Sequence, residues 1–370
     1  ANIKDLHSRM KSMKYRHQPI LKVQIPKSGG GSRALGISTV EDKVVQGALK
    51  EVLEVVYEPV FKDSSYGYRP GRRAHDVLKK FNTEAYAGRV NWVLEADIKA
   101  FFDSIDRKML QELIQKRVLD GKIRRLVGKC LKVGILEGTE LSWTEKGTTQ
   151  GSILSPLLAN IYLHYVLDEW FEDVVKPRLT GRSCLFRFCD DFIIGFESKE
   201  DAERVLSVLG KRLGKFNLQL HPDKTKLVPF RRPPRNQKGG KGPGTFTFLG
   251  FNLFWKRGRK GNWRPAAETS KQSFRKAVVN IAEYCRRHRH LSVPEQSKGI
   301  NRRVTGHFNY FAVSGNSKRL NSLLEVIKRS WFKWLCRRSQ RARLTWERFD
   351  DLKKDFKFPH TRVRVPIWET

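Results

Sequence analysis

The stretch Cys184–Phe196 narrows most what this chain can fold into. Two apolar arms, Cys184-Leu185-Phe186 and Phe192-Ile193-Ile194, flank Asp190-Asp191. That pattern predicts a β-hairpin that buries both arms and holds two acids at its turn. A lone hairpin is marginal in water, so this one needs further strands and helices around it, which points to an α+β body. Asn91 to Lys99 alternates as a strand should, with Trp92, Leu94, Ala96 and Ile98 on one face and Val93, Glu95, Asp97 and Lys99 on the other. Helices are expected around this frame. Ser38 and Glu41 have capping-box spacing before a helical pattern through Val56, and Ile153–Val174 reads as one long apolar helix around Ser155-Pro156. Ser198 caps a helix whose first turn, Glu200-Asp201-Ala202-Glu203, suits the positive end of the dipole. Farther on, residues 268–290 and 317–337 read as helices with basic outer faces, joined by a link at Gly315-Asn316.

Charge then limits the partner. The 370 residues leave room for two or three domains and carry 73 Lys plus Arg against 38 Asp plus Glu, a formal net charge of +35. So large an excess fits a polyanion, most simply nucleic acid, and not ordinary metabolic chemistry. The excess is concentrated: residues 231–370 hold 34 basic and 9 acidic side chains, net +25, against net +10 for residues 1–230. Between them Arg231-Arg232-Pro233-Pro234-Arg235 and the Gly/Lys run at 238–244 predict an exposed connecting loop. An aromatic share of 11% argues against disorder. No apolar run suggests a membrane span or signal peptide. Five scattered cysteines, at no zinc-finger spacing, predict a reducing compartment, and we expect a cytoplasmic protein.

Asp97 at a strand end and Asp190-Asp191 at a hairpin turn are also read as candidates for shared chemistry. An Asp-Asp pair fits an ordinary turn, and a strand-end Asp often only caps. Clustered carboxylates, however, raise one another's pKa unless a cation shares the site. Hard oxygen ligands without His or Cys suit Mg²⁺ rather than zinc, and two such ions would activate a 3′-hydroxyl and stabilise a leaving pyrophosphate.

Ordered blocks along nearly the whole chain make the resemblance specific. Ile25-Pro26-Lys27, Arg33-Ala34-Leu35-Gly36-Ile37 and Asp42-Lys43-Val44-Val45-Gln46 come first, followed by Tyr66-Gly67-Tyr68-Arg69-Pro70. Asp97-Ile98-Lys99 through Phe102-Asp103, Gln150-Gly151 with Leu154–Leu163, Phe188-Cys189-Asp190-Asp191, Lys224-Thr225 and Phe248-Leu249-Gly250-Phe251 complete the series. In this order they resemble the fingers and palm motifs of a group II intron-type reverse transcriptase. Gly306-His307-Phe308-Asn309-Tyr310-Phe311, Gly315-Asn316 and Trp331–Leu335 resemble that family's maturase-specific thumb region. Trp331 and Trp334 at helical spacing read as core of a small bundle, which leaves the Arg and Lys between them as the nucleic-acid contacts.

The resemblance implies a right-hand polymerase fold of class α+β: fingers and palm with an antiparallel sheet, plus an α-helical thumb. Residues 1–90 would form fingers with part of the palm, 91–264 the palm with inserted fingers helices, and 265–370 the thumb and maturase region. It implies catalytic Asp97, Asp190 and Asp191, two Mg²⁺ ions (Mn²⁺ as substitute) held by these and the Ile98 backbone, and Lys27 and Arg33 against the incoming triphosphate. Ala100 and Phe101 would offer backbone N–H groups to the phosphates. Phe102 would exclude a ribose 2′-hydroxyl, a core aromatic being the other reading. Gln150 and Gly151 would line the nascent base pair, and Lys224 would protonate pyrophosphate unless it is an ordinary surface lysine. Cys189 stands where the family usually has Ala, Phe188 where it has Tyr, and Thr149 where it has Pro. Past residue 337 nothing resembles the DNA-binding domain or HNH endonuclease of mobile members, and Ala1 in place of Met suggests a preceding piece. The implied function is RNA-directed DNA synthesis from deoxynucleotides on an RNA template (group II intron RNA) with a DNA or RNA primer, joined to maturase activity. The rivals are a domesticated relative serving DNA repair, phage defence or a CRISPR system, and a non-catalytic RNA-binding splicing factor.

Overall fold

The computed structural model describes residues 2–26, 32–137, 140–143, 147–148, 151–237, 242–258, 261–338 and 344–368. The helices are α1 (Ile3–Lys11), α2 (Val40–Tyr57), α3 (Ala74–Tyr86), α4 (Phe101–Ser104), α5 (Arg107–Gln115), α6 (Gly121–Leu131), α7 (Ser155–Leu163), α8 (Lys199–Gly214), α9 (Lys271–Arg287), α10 (Val293–Phe311), α11 (Ser317–Cys336) and α12 (Trp346–Asp355). The strands are β1 (Ile20–Pro26), β2 (Ser32–Ile37), β3 (Trp92–Ala96), β4 (Gly134–Glu137), β5 (Glu140–Trp143), β6 (Ser183–Phe188), β7 (Asp191–Phe196), β8 (Lys226–Pro229), β9 (Thr245–Phe248), β10 (Phe251–Arg257) and β11 (Trp263–Thr269). Among the described residues no helix is long and apolar enough to cross a membrane.

The chain divides into two compact units, residues 1–77 with 89–229, and residues 78–88 with 230–370. The first unit holds two sheets, ordered β2-β1-β4-β5 and β6-β7-β3-β8. The expected hairpin is there: β6 and β7 pair antiparallel from Ser183↔Phe196 to Phe188↔Asp191. The alternating segment is the neighbouring strand, with β3 paired antiparallel to β7 on one side and β8 on the other. Val93 and Leu94 are both fully buried, because layers of protein cover both faces of this central strand. Its core includes Leu94, Phe192, Ile194, Phe196, Leu157, Ile161, Val205 and Leu209. Each such side chain contributes about 1.5–3 kcal/mol relative to exposure.

Two local expectations shift. The cap of α2 is Thr39, not Ser38: its hydroxyl accepts from Asp42 N–H at 3.2 Å and donates to the Asp42 carboxylate at 2.6 Å. The long apolar helix begins at Ser155 but continues as wide-turn segments at His164–Asp168 and Trp170–Val175. Ser198 does cap α8, accepting from Asp201 N–H.

The second unit contains the antiparallel sheet β11-β10-β9 and the helices α9 to α12. Residues 268 and 269 belong to β11, so α9 starts at Lys271 after a Ser270 cap. The sequence reading also missed α10. Ser292 and Glu295 form a reciprocal capping box, and Pro294 pre-sets the first turn. Gly299 is required inside α10, since a Cβ there would collide with the Tyr284 ring of α9. Trp331 is fully buried in this bundle with Ile300, Val304, Phe308 and Leu323, and its indole donates to Gln296 at 3.1 Å. Trp334 packs against the same core only in part.

Candidate active site

The β6–β7 turn is Cys189-Asp190, and Cys189 takes a left-handed conformation at φ 59°. A non-glycine residue holds that conformation only where its surroundings impose it. Arg187, fully buried, supplies the restraint. Its guanidinium donates to both oxygens of Asp168 (2.7 and 2.5 Å), to Asn160 Oδ1 (2.9 Å), to Ser65 Oγ (2.6 Å) and to the carbonyl of Cys189 (3.0 Å). Asn160 Nδ2 in turn donates to the Gly67 carbonyl at 2.6 Å. Gly67 lies so close to the turn that a Cβ would collide with the Cys189 nitrogen. Burial, then Asp190, pushes the Cys189 thiol up to about 12, so it stays protonated and is no nucleophile at neutral pH.

The β3–β7 register runs to Ala96↔Phe192, so one further step sets Asp97 beside Asp191. Beyond Asp97 the chain is pinned to residues 219–221: Lys99 N–H donates to Gln219 O and His221 N–H to Asp97 O, each at 2.8 Å. These bonds flank the Ile98–Leu220 bridge, so the N–H and C=O of Ile98 itself point away from that segment, toward the hairpin side. The Ile98 side chain is buried. Lys224 Nζ donates to Asp97 Oδ2 at 2.6 Å and is the cation on that carboxylate. The Asp191 carboxyl is pushed up to about 6, first by desolvation and then by Asp190 and Asp97, with Glu95 adding and Lys224 opposing. Asp191 is nonetheless exposed as a residue, which moderates the desolvation part; the like-charge part needs only proximity.

These acids are oxygen donors with no His or Cys among them, and their mutual repulsion calls for a cation, so in kind they fit a hard divalent ion. Among the described residues no three His, Cys, Asp or Glu side chains are arranged as a ready-made metal cage. The fit therefore lies in donor chemistry, with Lys224 standing against Asp97.

The other expected residues fall as follows. Ala100 is exposed and left-handed (φ 45°) at the start of α4. Phe101 is buried, and Phe102, half-buried, meets it edge-on with centroids 5.4 Å apart. The Phe102 carbonyl accepts from Thr148 N–H at 2.7 Å. Gly151 has φ +108°, and a Cβ there would lie 2.5 Å from the Gly36 carbonyl, so its close approach is to β2. Arg33 pairs through its backbone with Ile25. Lys27 and Gln150 lie outside the described residues. The fold thus brings together Asp97, Ile98, Asp190, Asp191 and Lys224. The sequence reading missed the Arg187–Asp168–Asn160–Ser65 network. Its available signal was a lone Arg inside an apolar hairpin arm and a lone Asp after Tyr165-Val166-Leu167.

Comparison with known proteins agrees with this geometry. Residues 25–253 match the reverse transcriptase (RNA-dependent DNA polymerase) family, and residues 272–352 match the group II intron maturase-specific domain. Group II intron-encoded protein LtrA of Lactococcus lactis subsp. cremoris is 45% identical over 163 residues, 44% of this chain and 27% of LtrA. Protein YkfC of Escherichia coli (strain K12) is 29% identical over 307 residues, 75% of this chain and 77% of YkfC. The chain thus spans about a quarter of the length of LtrA. Among solved structures, a telomerase from Candida albicans in complex with a fragment of telomeric RNA superposes with TM-score 0.53 at 13% identity, covering 90% of this chain and 62% of that one. An apo telomerase from Candida tropicalis gives TM-score 0.50 at 16% identity, over 68% and 58%. Both likenesses speak to the fold alone, a polymerase fold with antiparallel sheets and a helical region. With the family match covering more than half its length, the chain belongs to the reverse transcriptase family and carries a group II intron maturase-specific segment after its polymerase motifs.

Proposed function

We propose that the end of the β6-β7-β3-β8 sheet carrying the three acids performs RNA-templated DNA synthesis, adding deoxynucleotides to a primer 3′-hydroxyl. The observation that carries this reading is the convergence of Asp97, from one strand end, with Asp190 and Asp191 at the apex of the adjoining hairpin. Asp97, Asp190, Asp191 and the Ile98 carbonyl would hold two Mg²⁺ ions, with Mn²⁺ as substitute. When bound, these ions would lower the pKa of the 3′-hydroxyl and offset charge on the leaving pyrophosphate.

The chain's own groups have distinct tasks. Arg187 fixes the hairpin apex by holding the Cys189 carbonyl, so the two acids keep their place against Asp97. Lys224, already within reach of Asp97, can deliver a proton to the departing phosphate oxygen. Phe102, held against Phe101, presents bulk where a ribose 2′-hydroxyl would lie. In this reading residues 1–90 act as fingers, 91–264 as palm and 265–370 as thumb. The net +25 of residues 231–370 supplies phosphate contacts for structured RNA, including the intron RNA that a maturase binds. The test is extension of a primed RNA by the full chain with Mg²⁺ and deoxynucleotides. DNA complementary to the template is expected, and a folded protein that extends no primed RNA would overturn the proposal.

A further inference from the structure

Gln46, on α2 of the first unit, is 1% exposed and has no task in the reaction as described above. Its amide reaches three other segments. Oε1 accepts from Ile153 N–H at 3.1 Å, and Nε2 donates to His17 Nε2 at 2.9 Å and to Ser38 Oγ at 3.2 Å. Both amide protons and the amide oxygen are therefore occupied.

The direction of every bond in this chain is fixed. A backbone N–H can only donate, so Ile153 sets which end of the amide faces it, and Nε2 must face His17. His17 Nε2 then has to accept, which puts the ring proton on Nδ1. The other side of the ring agrees, because Nδ1 lies 2.7 Å from the Gln18 carbonyl, a group that can only accept. The His17 side chain is 2% exposed, with Asp42 Oδ2 3.6 Å from Nδ1. Asp42 is held in turn by the Tyr15 hydroxyl at 2.6 Å and the Thr39 hydroxyl at 2.6 Å. A packed network of polar groups thus ends on one backbone N–H, that of Ile153. The Gln46 amide cannot turn over to suit a changed partner without setting its NH₂ against that N–H.

Ile153 lies two residues past Gly151, whose φ of +108° L side chains rarely adopt. The Gly36 carbonyl presses on Gly151 from one side, and Gln46 holds the chain just beyond it. Before Gly151, the N–H groups of Gly147 and Thr148 donate to the carbonyls of Ile105 and Phe102, at 2.9 and 2.7 Å. The stretch that carries Gly151 is therefore tied at one end to Phe102 and at the other to Gln46. Unusual backbone conformations persist only where the surroundings impose them, and a shift of about 1 Å in a substrate-positioning group can cost about 10²-fold in rate.

We infer that Gln46, oriented by His17, is a positioning residue for nucleotide selection: it sets the Gly151 turn against which the nascent base pair is judged. The inference rests on the proposed synthesis reaction, with Gly151 lining that pair. A residue that only stabilised the fold would lower the amount of active protein and leave the choice made by each active molecule unchanged.

The experiment uses the full chain on primed RNA with Mg²⁺. It measures kcat/KM for the complementary deoxynucleotide and for one mismatched deoxynucleotide on the same preparation. Their ratio is independent of the fraction of protein that is folded. Gln46→Met is expected to lower the ratio about tenfold, chiefly by raising KM for the complementary nucleotide, with its kcat within about threefold of wild type. His17→Leu removes the acceptor for Gln46 but leaves the bond to Ile153, and is expected to lower the ratio about threefold. His17→Gln restores an acceptor oxygen at that place and is expected to return the ratio to wild type. If Gln46→Met does not fold, the two His17 variants decide the matter between them. An unchanged ratio in folded Gln46→Met, or equal ratios in His17→Leu and His17→Gln, overturns the inference while wild-type synthesis stands. A wild-type protein that extends no primed RNA overturns the proposed function and this inference together.

Discussion

Replacing Arg187 with Met would remove the five hydrogen bonds that the guanidinium makes in the first unit and leave Asp168, fully buried, without its cation. Breaking a buried ion pair from one side costs about 3–5 kcal/mol, because the surviving charge keeps its desolvation penalty. The stranded Asn160, Ser65 and Cys189 acceptors place this case toward the upper end of that range. Urea unfolding of the full chain, followed by far-ultraviolet circular dichroism, measures the loss. Burial pushes the Asp168 carboxyl up, and Arg187 is the group that most opposes that push. Without Arg187 the folded pKa of Asp168 rises further above its unfolded value. The contribution of Asp168 then favours folding below the unfolded pKa and is lost as pH rises through the folded one, so the deficit is expected to be smaller near about pH 5 than near about pH 7. Adding Asp168→Leu is expected to recover most of the loss, since apolar pairs replace buried ion pairs at little cost. A single variant within about 1 kcal/mol of wild type, or a double variant no better than the single one, would refute the reasoning.

Asp191, with its pKa raised to about 6, costs the metal-free protein stability as pH rises through that value; Asp191→Asn is expected to abolish this part of the pH dependence, and paired urea titrations at low and neutral pH check it. Phe102→Ala is expected to admit ribonucleotides with little loss of deoxynucleotide use, read by competitive incorporation, and a folded variant that still rejects them makes Phe102 a core residue only. Changing exposed Lys271, Arg275, Lys276 and Arg302 to Gln is expected to flatten the salt dependence of RNA binding, with the log–log slope falling by about 0.7–0.9 for each phosphate that is no longer neutralised; an unchanged slope would remove α9 and α10 from the RNA-binding surface.

The acid-bearing sheet was legible in the sequence because strand periodicity is local. The arms around Asp190-Asp191 and the alternation through Trp92–Ala96 needed no knowledge of their neighbours. What escaped was set by contacts distant in sequence. Arg187 becomes the anchor of the apex only because Asp168, Asn160 and Ser65 converge on it from separate segments. Helix α10 was hidden by Gly299 and Gly306, poor helix formers, although Ser292-Val293-Pro294-Glu295 carried a readable start signal. Gly299 is there because α9 passes close by, which no local pattern states. The α2 cap moved by one residue because Thr39 and Asp42 satisfy each other, an exchange as visible in the sequence as the Ser38–Glu41 spacing.

The central claim is that Asp97, Asp190 and Asp191 do chemistry rather than hold RNA. Single-turnover addition of one deoxynucleotide to a primed RNA, measured beside equilibrium binding of the same primed RNA for wild type and Asp190→Asn, tests it most directly. The expected result is loss of addition by a factor of about 10³ or more with primed-RNA affinity unchanged. Addition by a folded Asp190→Asn protein at near wild-type rate would contradict the account.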